Sequence, residues 1–314
     1  MRAFTRFAWS VLAVNLAVVA WGAFVRATGS GAGCGKHWPT CNGEIVPQAP
    51  AVATMIEFAH RASSGVALLL VVALVVWAVR TFPGGHPARR AAVAAIALMI
   101  AEALVGAGLV LYGWVAKDTS SARGWVMAIH LTNTFLLLAS LALTADWSAR
   151  PGGFVLAGRS GVGGALAAAL VLVLLAGISG AIAALGDTLY PATSFAAGFR
   201  DELSGNAAIL LRLRLVHPFA AIAAGALLLG VARAALRARP DERVRQAAVA
   251  IAGLVAVEIA AGAANVLLLA PVWLQLVHLL VADLLWLALV LLAAATLAPG
   301  AAPARTELPV AAHA

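Results

Sequence analysis

The sequence contains little charge and almost no cysteine. Only 11% of its 314 residues are charged, whereas 63% are hydrophobic and the mean hydropathy is +0.98. This composition excludes a soluble globular domain, in which about 25% of the residues are charged. The two cysteines, Cys34 and Cys41, have no pair of histidines beside them in the sequence, and they therefore form a poor ligand set for a structural metal ion.

The sequence does contain eight long apolar runs. Each run is long enough to cross a hydrocarbon core of roughly 30 Å as a helix of about 20 residues. We therefore expect an all-α integral membrane protein with eight transmembrane helices. The first run has no small-residue cleavage site and is expected to be a retained helix. The predicted spans are 8–28, 55–80, 91–112, 125–147, 161–185, 211–236, 246–269 and 273–297.

The net charge of +8 is unevenly distributed along the chain. An orientation with both termini in the cytoplasm places 13 of the 21 Lys and Arg residues inside, in agreement with the positive-inside rule. Anionic lipid headgroups are the expected partners of these arginines, and no nucleic-acid partner is needed to explain them. The inside arginines are Arg2, Arg6, Arg80, Arg89, Arg90, Arg150, Arg159, Arg233, Arg237, Arg239, Arg243, Arg245 and Arg305.

Both cysteines fall in the loop after the first predicted helix, which this orientation places outside the cell membrane. An oxidising compartment and a short spacing favour a disulfide between Cys34 and Cys41. Two free thiols in a loop are the alternative.

The two halves of the chain resemble each other. Glu102 and Glu258 open similar segments 156 residues apart, and Trp125 and Trp273 open another pair of similar segments 148 residues apart. An even number of helices per copy makes this a parallel repeat about an axis along the membrane normal. We therefore predict two pseudo-symmetric four-helix bundles, formed by residues 1–150 and 151–314.

Four histidines lie at matching places in these bundles, near the outer ends of four predicted helices. They are His60 and His130 in the first half and His217 and His278 in the second. Facing histidines at one depth of a helix bundle can supply both axial nitrogens of a haem iron. We predict two haem pockets toward the extracytoplasmic side, with interhelical hydrogen bonds of the imidazoles as the alternative.

One position distinguishes the two predicted pockets. Glu57 precedes His60 by one helical turn, and Arg214 stands at the equivalent place before His217. A carboxylate can handle protons or stabilise positive charge, whereas a guanidinium suits a haem propionate. The first pocket is therefore the expected reaction site and the second the expected cofactor site. Alternatively, Thr54 and Glu57 form a capping box that only begins the helix.

Other polar residues near these helices have less specific expected roles. Glu102 and Glu258 could pair with arginines at helix ends or carry protons, and Asn133 and Asp283 could orient neighbouring groups. The arginines at the outer helix ends could bind propionates or extend to the membrane interface. They are Arg26, Arg61, Arg123 and Arg212.

Several motifs together resemble the haem A synthase family. They are the stretch Thr28-Gly-Ser-Gly-Ala-Gly-Cys34, the stretch Trp38-Pro-Thr-Cys41-Asn-Gly, and the helical motif Glu57-Phe-Ala-His60-Arg61. With the eight spans and four histidines, the resemblance covers nearly the whole chain. A second cysteine pair, which some members carry in the second half, is absent from residues 186–210.

The resemblance implies an oxidoreductase that converts the substrate haem O to haem A by oxidising a ring methyl to a formyl group, for the assembly of aa3-type oxidases. It implies that His60 and His130 serve haem O, that His217 and His278 bind a haem b cofactor, and that Glu57 is catalytic. Cys34 and Cys41 would form a disulfide. Candidate partners are a haem O synthase, oxidase assembly factors and an electron donor that the sequence does not identify.

Two other functions are compatible with the pattern. A di-haem b-type electron carrier, linked to quinol, needs two permanent haems and no carboxylate beside either iron. A proton-coupled transporter would use the histidines as a proton relay without haem.

Overall fold

The computed structural model describes residues 1–48, 50–150, 152–156, 160–204 and 209–299. Within these ranges the chain is helical and contains no β-strand, apart from an isolated bridge between Cys41 and Glu44. The helices are α1 Arg2–Ala27, α2 Val52–Thr81, α3 Pro87–Leu111, α4 Ser121–Ala149, α5 Ser160–Leu189, α6 Phe195–Leu203, α7 Ile209–Arg214, α8 Val216–Ala238, α9 Glu242–Leu267 and α10 Val272–Thr296.

Eight segments of the described chain are long and apolar enough to cross a membrane, counting α7 and α8 as one, and this confirms the predicted fold class. Each of these segments begins before its predicted apolar run. The helix α4 begins at Ser121, where the Ser120 side chain accepts a hydrogen bond of 3.3 Å from the Arg123 amide. Arg159, Arg305 and residue 151 at the predicted bundle boundary lie outside the described residues.

The predicted span 211–236 is not one helix, because it is interrupted at Leu215. Pro218 has no amide hydrogen to donate to the carbonyl of Arg214, so the regular ladder breaks one turn before the proline. The Leu215 amide instead bonds to the Arg212 carbonyl at 3.2 Å. His217 consequently lies in the first turn of α8, directly after the break. The short helix α6, in the preceding outer segment, was not foreseen from the sequence.

The helices α4 and α10 occupy the centre of the described structure. The buried share of their most apolar stretches is 39% and 50%, against 22–28% for the other spans. The Phe135 ring stacks on Trp286 with centroids 5.0 Å apart, and the Trp286 indole donates a 2.7 Å hydrogen bond to the Phe135 carbonyl. Side chains from both halves of the chain therefore meet in one core.

A charged contact joins the two halves at the opposite end of α4 from its histidine. Asp146 is 3% exposed and accepts hydrogen bonds from Arg243 of α9 at 2.8 and 2.9 Å. Arg150 adds an ion pair of 2.5 Å to the same carboxylate. This cluster fixes the end of α4 against the start of α9.

Candidate functional site

The structure brings the histidines together in the two predicted pairs. His60 of α2 and His130 of α4 are close enough for their charges to interact. His217 of α8 and His278 of α10 lie with their ring centroids 6.2 Å apart and their planes at 71°. Each pair therefore combines helices of one half of the chain.

Glycines of neighbouring helices leave the space that these imidazoles occupy. A Cβ atom on Gly22 of α1 would lie 2.9 Å from Cε1 of His60, and one on Gly180 of α5 would lie 2.9 Å from Cε1 of His217. At Gly262 of α9 the corresponding distance to His278 is 3.3 Å. Small residues of this kind let membrane helices approach closely. Their place beside the histidines was not predicted from the sequence.

Glu102 and Glu258 lie beside the histidines rather than beside arginines. The distance from Glu102 Oε1 to His130 Nδ1 is 3.3 Å, and that from Glu258 Oε2 to His278 Nδ1 is 3.2 Å. These are ion-pair distances, although the N–H is not aligned with the oxygen as a hydrogen bond requires. Each glutamate thus points across to the histidine of the adjacent helix.

The two glutamates differ in their other partners. Glu102 accepts hydrogen bonds of 2.5 Å from both Asn133 and Thr134. Glu258 Oε2 has no aligned hydrogen-bond donor within the described residues. Asp283 is 1% exposed and close enough to Glu258 for their charges to interact, but its Oδ1 has no partner in the same part of the chain.

The geometry of the second pair suits a haem iron. An imidazole nitrogen lies about 2 Å from a metal that it binds, so two imidazoles on opposite sides of one metal have ring centres about 6 Å apart. The observed separation is 6.2 Å. Nδ1 of His217 faces Ser179 Oγ at 3.2 Å and Nδ1 of His278 faces Glu258, which leaves Nε2 of both rings for the metal.

Each histidine pair offers two imidazole ligands. The described residues contain no group of three or more His, Cys, Asp or Glu side chains that could hold a metal ion. Two histidines are sufficient for an iron whose remaining ligands belong to a macrocycle.

Glu57 is buried. One of its carboxylate oxygens contacts the outer loop after α1, and the other contacts Arg61, which also binds this loop. The Cys34 amide donates a 2.8 Å hydrogen bond to Oε2, and Arg61 forms a 2.5 Å ion pair with Oε1. Thr54 donates to the Gly33 carbonyl at 2.8 Å. The predicted capping box is wrong, because α2 begins at Val52 and Ala51 provides no side-chain cap.

The loop itself is closed by the predicted disulfide between Cys34 and Cys41. Arg61 donates hydrogen bonds of 2.6 Å to the carbonyls of His37 and Thr40. A Cβ atom on Gly33 would lie 2.5 Å from the backbone of Ala53, so only glycine permits this approach of the loop to α2. The loop is therefore fastened to the helix that carries His60.

Arg214 occupies the position equivalent to Glu57 and makes contacts of the same kind with opposite charge. It pairs with Asp187 of α5 at 2.7 Å and with Glu202 of α6. The arginine thus ties the outer segment of the second half to the helix before His217.

The other arginines predicted to bind propionates are bonded to the protein itself. Arg26 of α1 donates to the Ala184 carbonyl at 2.6 Å, to Thr188 at 2.8 Å and to Gln275 of α10 at 2.9 Å, and so it links the two halves. Arg123 donates to the carbonyls of Ala116 and Asp118 at 2.8 Å each. Arg212 contacts the Ser204 carbonyl at 3.3 Å.

The fold and the site define a multi-spanning helical protein that carries two histidine pairs, each on helices of one half. Comparison with known proteins agrees with this description. Residues 5–290 match the model of the cytochrome oxidase assembly protein family, and the chain belongs to this family.

The chain is also similar to individual curated proteins. It is 48% identical over 295 residues to a protoheme IX farnesyltransferase of Thermus thermophilus. The aligned region covers 94% of this chain and 48% of that protein. It is 38% identical over 128 residues to the heme A synthase of Alkalihalophilus pseudofirmus, covering 41% of this chain and 40% of that protein. The corresponding values for the heme A synthase of Exiguobacterium sibiricum are 39% over 126 residues, with 40% of each chain covered. The chain therefore spans about half, or less, of the length of the curated relatives that it matches.

Proposed function

We propose that this protein is a haem A synthase, an oxidoreductase that converts a methyl group of haem O to the formyl group of haem A. The observation that carries the proposal is the pairing of four histidines, with the rings of His217 and His278 6.2 Å apart, in a member of the cytochrome oxidase assembly protein family. The similarity to two heme A synthases supports the choice of reaction.

One histidine pair binds the substrate and the other binds the cofactor. His60 and His130 hold haem O, and His217 and His278 hold a haem b, which when bound supplies one-electron chemistry through its iron. The 6.2 Å separation of the His217 and His278 rings and the contact of each Nδ1 with its own half support this arrangement. The backbones of Gly22 and Gly180 pack closely against the imidazoles of His60 and His217.

The reaction is two successive two-electron oxidations of the methyl carbon. In each, a C–H bond is replaced by a C–O bond to a water oxygen, and two protons and two electrons leave, the electrons to an external acceptor. The products are an alcohol and then a hydrated aldehyde that loses water. Glu57 is the carboxylate assigned to proton handling or to stabilising positive charge at this carbon. It is buried one turn before His60, which supports a place beside the substrate. Its contacts with Cys34 and Arg61 also make it the anchor of the outer loop.

The proposal is tested by mass analysis of haems extracted from cells that make this protein together with a haem O source. Haem A or its hydroxylated precursor is expected, and a His60→Ala variant is expected to leave haem O unchanged. If haem O is the only modified haem with the unaltered protein, the proposed reaction is wrong.

The catalytic assignment of Glu57 is tested separately from its anchoring role. Glu57→Gln should block formyl formation while the protein stays folded, because the amide keeps an acceptor for the Cys34 amide but carries no charge. Thr54→Val is the matched control, since it removes another loop anchor, the bond to Gly33, and leaves the carboxylate intact. Equal losses of haem A in both variants would restrict Glu57 to anchoring.

The similarity to a protoheme IX farnesyltransferase suggests a second candidate, the transfer of a farnesyl group to haem. The matched region covers less than half of that relative. Paired histidines on facing helices favour iron binding and oxidation, and a transfer from a prenyl diphosphate does not require them. Accumulation of farnesylated haem in cells without another haem O source would favour the transferase.

The electron carrier and the transporter, the two remaining alternatives, predict different results in the same cells and purified protein. A di-haem electron carrier would bind haem and leave haem O unconverted. A proton-coupled transporter would show no Soret band in the optical spectrum of the purified protein.

The proposed location is the cell membrane, with both termini in the cytoplasm and the histidine pairs toward the outer side. The arginines Arg2, Arg6, Arg89 and Arg90 at one end of α1 and α3 support this orientation. Alternation of the spans then places the starts of α2, α4, α7 and α10 outside. The division into bundles 1–150 and 151–314, and partnership with a haem O synthase or oxidase assembly factors, belong to the same proposal.

A further inference from the structure

We propose that Glu102 and Glu258 are positioning residues, each of which holds Nδ1 of the histidine on the next helix so that Nε2 faces the haem iron. This inference rests on the proposed function, because it requires that the histidine pairs bind haem. It assigns a role to two partly buried carboxylates that the proposed reaction does not otherwise use.

The same contact occurs in both halves of the molecule. Glu102 of α3 reaches His130 of α4 at 3.3 Å, and Glu258 of α9 reaches His278 of α10 at 3.2 Å. Both glutamate side chains are less than one fifth exposed. In each case the carboxylate lies on the helix that directly precedes the histidine helix, and the helices of both pairs pack along their length.

A carboxylate at Nδ1 determines what the ring can do. It stabilises the tautomer with the proton on Nδ1, and the lone pair of Nε2 is then available to a metal. It also stops the ring from turning about the Cβ–Cγ bond and raises the basicity of the ligand.

The surroundings of the two carboxylates differ, and this makes the two sites electronically unequal. Glu102 accepts hydrogen bonds from Asn133 and Thr134, which share its negative charge. The residues 148 positions later are Val281 and Ala282, whose side chains cannot donate. Glu258 therefore presents more of its charge to His278, and we expect the iron beside His278 to have the lower reduction potential.

The test is a redox titration of the haem-loaded protein followed by optical spectroscopy. Glu258→Gln should raise the midpoint potential of the second-half haem and leave the first-half haem unchanged. A tenfold loss of preference for ferric iron corresponds to about 59 mV for a one-electron couple. Glu102→Gln should have the converse effect, raising only the potential of the first-half haem.

Two controls separate positioning from general loosening of the fold. Asn265→Ala removes a buried side chain that links α9 to the Leu274 carbonyl of α10, and it should leave both potentials unchanged. Thr134→Val removes a donor to Glu102 and should lower the first-half potential, opposite in sign to Glu102→Gln. If the substitutions only loosened the helices, Thr134→Val and Glu102→Gln would shift the first-half potential in the same direction.

The outcomes also distinguish this inference from the proposed function. If the unaltered protein shows no Soret band, both are wrong. If the unaltered protein and the glutamine variants bind haem with equal potentials and spectra, the positioning role is wrong and the proposed function stands. If the Glu258→Gln protein does not accumulate, Thr134→Val alone decides, and an unchanged or raised potential contradicts the inference.

Discussion

At the scale of single residues, Glu57 and Arg214 have opposite charges but the same structural role. Both side chains lie one turn before a histidine, and both fasten the outer segment of their own half to that helix. The sequence identifies the position, because one helical turn separates each residue from its histidine. It does not determine the direction of the side chain, which depends on the loop conformation set by Gly33 and by the disulfide.

The glycines beside the imidazoles lead to a prediction at this scale. Gly180→Ala should weaken haem binding in the second half, because its Cβ would lie 2.9 Å from Cε1 of His217 and the ring would have to move. Gly164→Ala on the same helix has no neighbour within 4 Å and should bind haem normally. The measurement is the haem-to-protein ratio of the purified variants, and equal ratios would contradict the close packing.

At the scale of helices and loops, apolar patterning predicted the number and the approximate places of the spans. It could not predict the break at Leu215, because Pro218 near the start of a helix is also compatible with an unbroken span. It also missed α6, where Glu202 pairs with Arg214. These features depend on contacts between elements, whereas hydropathy describes each element alone.

The outer segment of the second half provides the prediction at this scale. Arg214→Gln should increase cleavage of residues 190–204 by added protease, because it removes the ion pair that holds α6 to α7 and the ion pair that holds α7 to α5. Arg200→Gln is the control. It alters an exposed arginine of α6 whose side chain bonds to the Ala196 carbonyl of the same helix, and cleavage should remain slow. Similar cleavage of both variants would show that the ion pairs do not hold the segment.

At the scale of the whole molecule, the two halves are joined through α4 and α10 and by charged contacts at both ends. Arg26 connects α1 to α5 and α10 at the histidine end, and Arg243 connects α9 to Asp146 at the other end. The sequence predicted two similar bundles but not these connections, since the paired residues are far apart in the chain. The repeat itself stays a prediction.

The contact at Asp146 allows a test of how the halves are joined. Asp146→Asn should lower the free energy of unfolding by about 1–2 kcal/mol, less than for a fully buried pair because both arginines are partly exposed. Glu242→Gln, which disrupts an exposed pair with Arg245, should have no measurable effect. Thermal unfolding in detergent provides the comparison, and equal midpoints would show that Asp146 does not stabilise the assembly of the halves.

The central claim is that each half of the molecule holds its own haem between two histidines. The most direct measurement is the haem b content of purified protein, by optical spectroscopy, in His278→Ala and His130→Ala variants. We expect His278→Ala to lose the haem b absorbance and His130→Ala to keep it, because each imidazole serves only the pocket of its own half. Normal haem b content in His278→Ala, or equal loss in both variants, would contradict the claim.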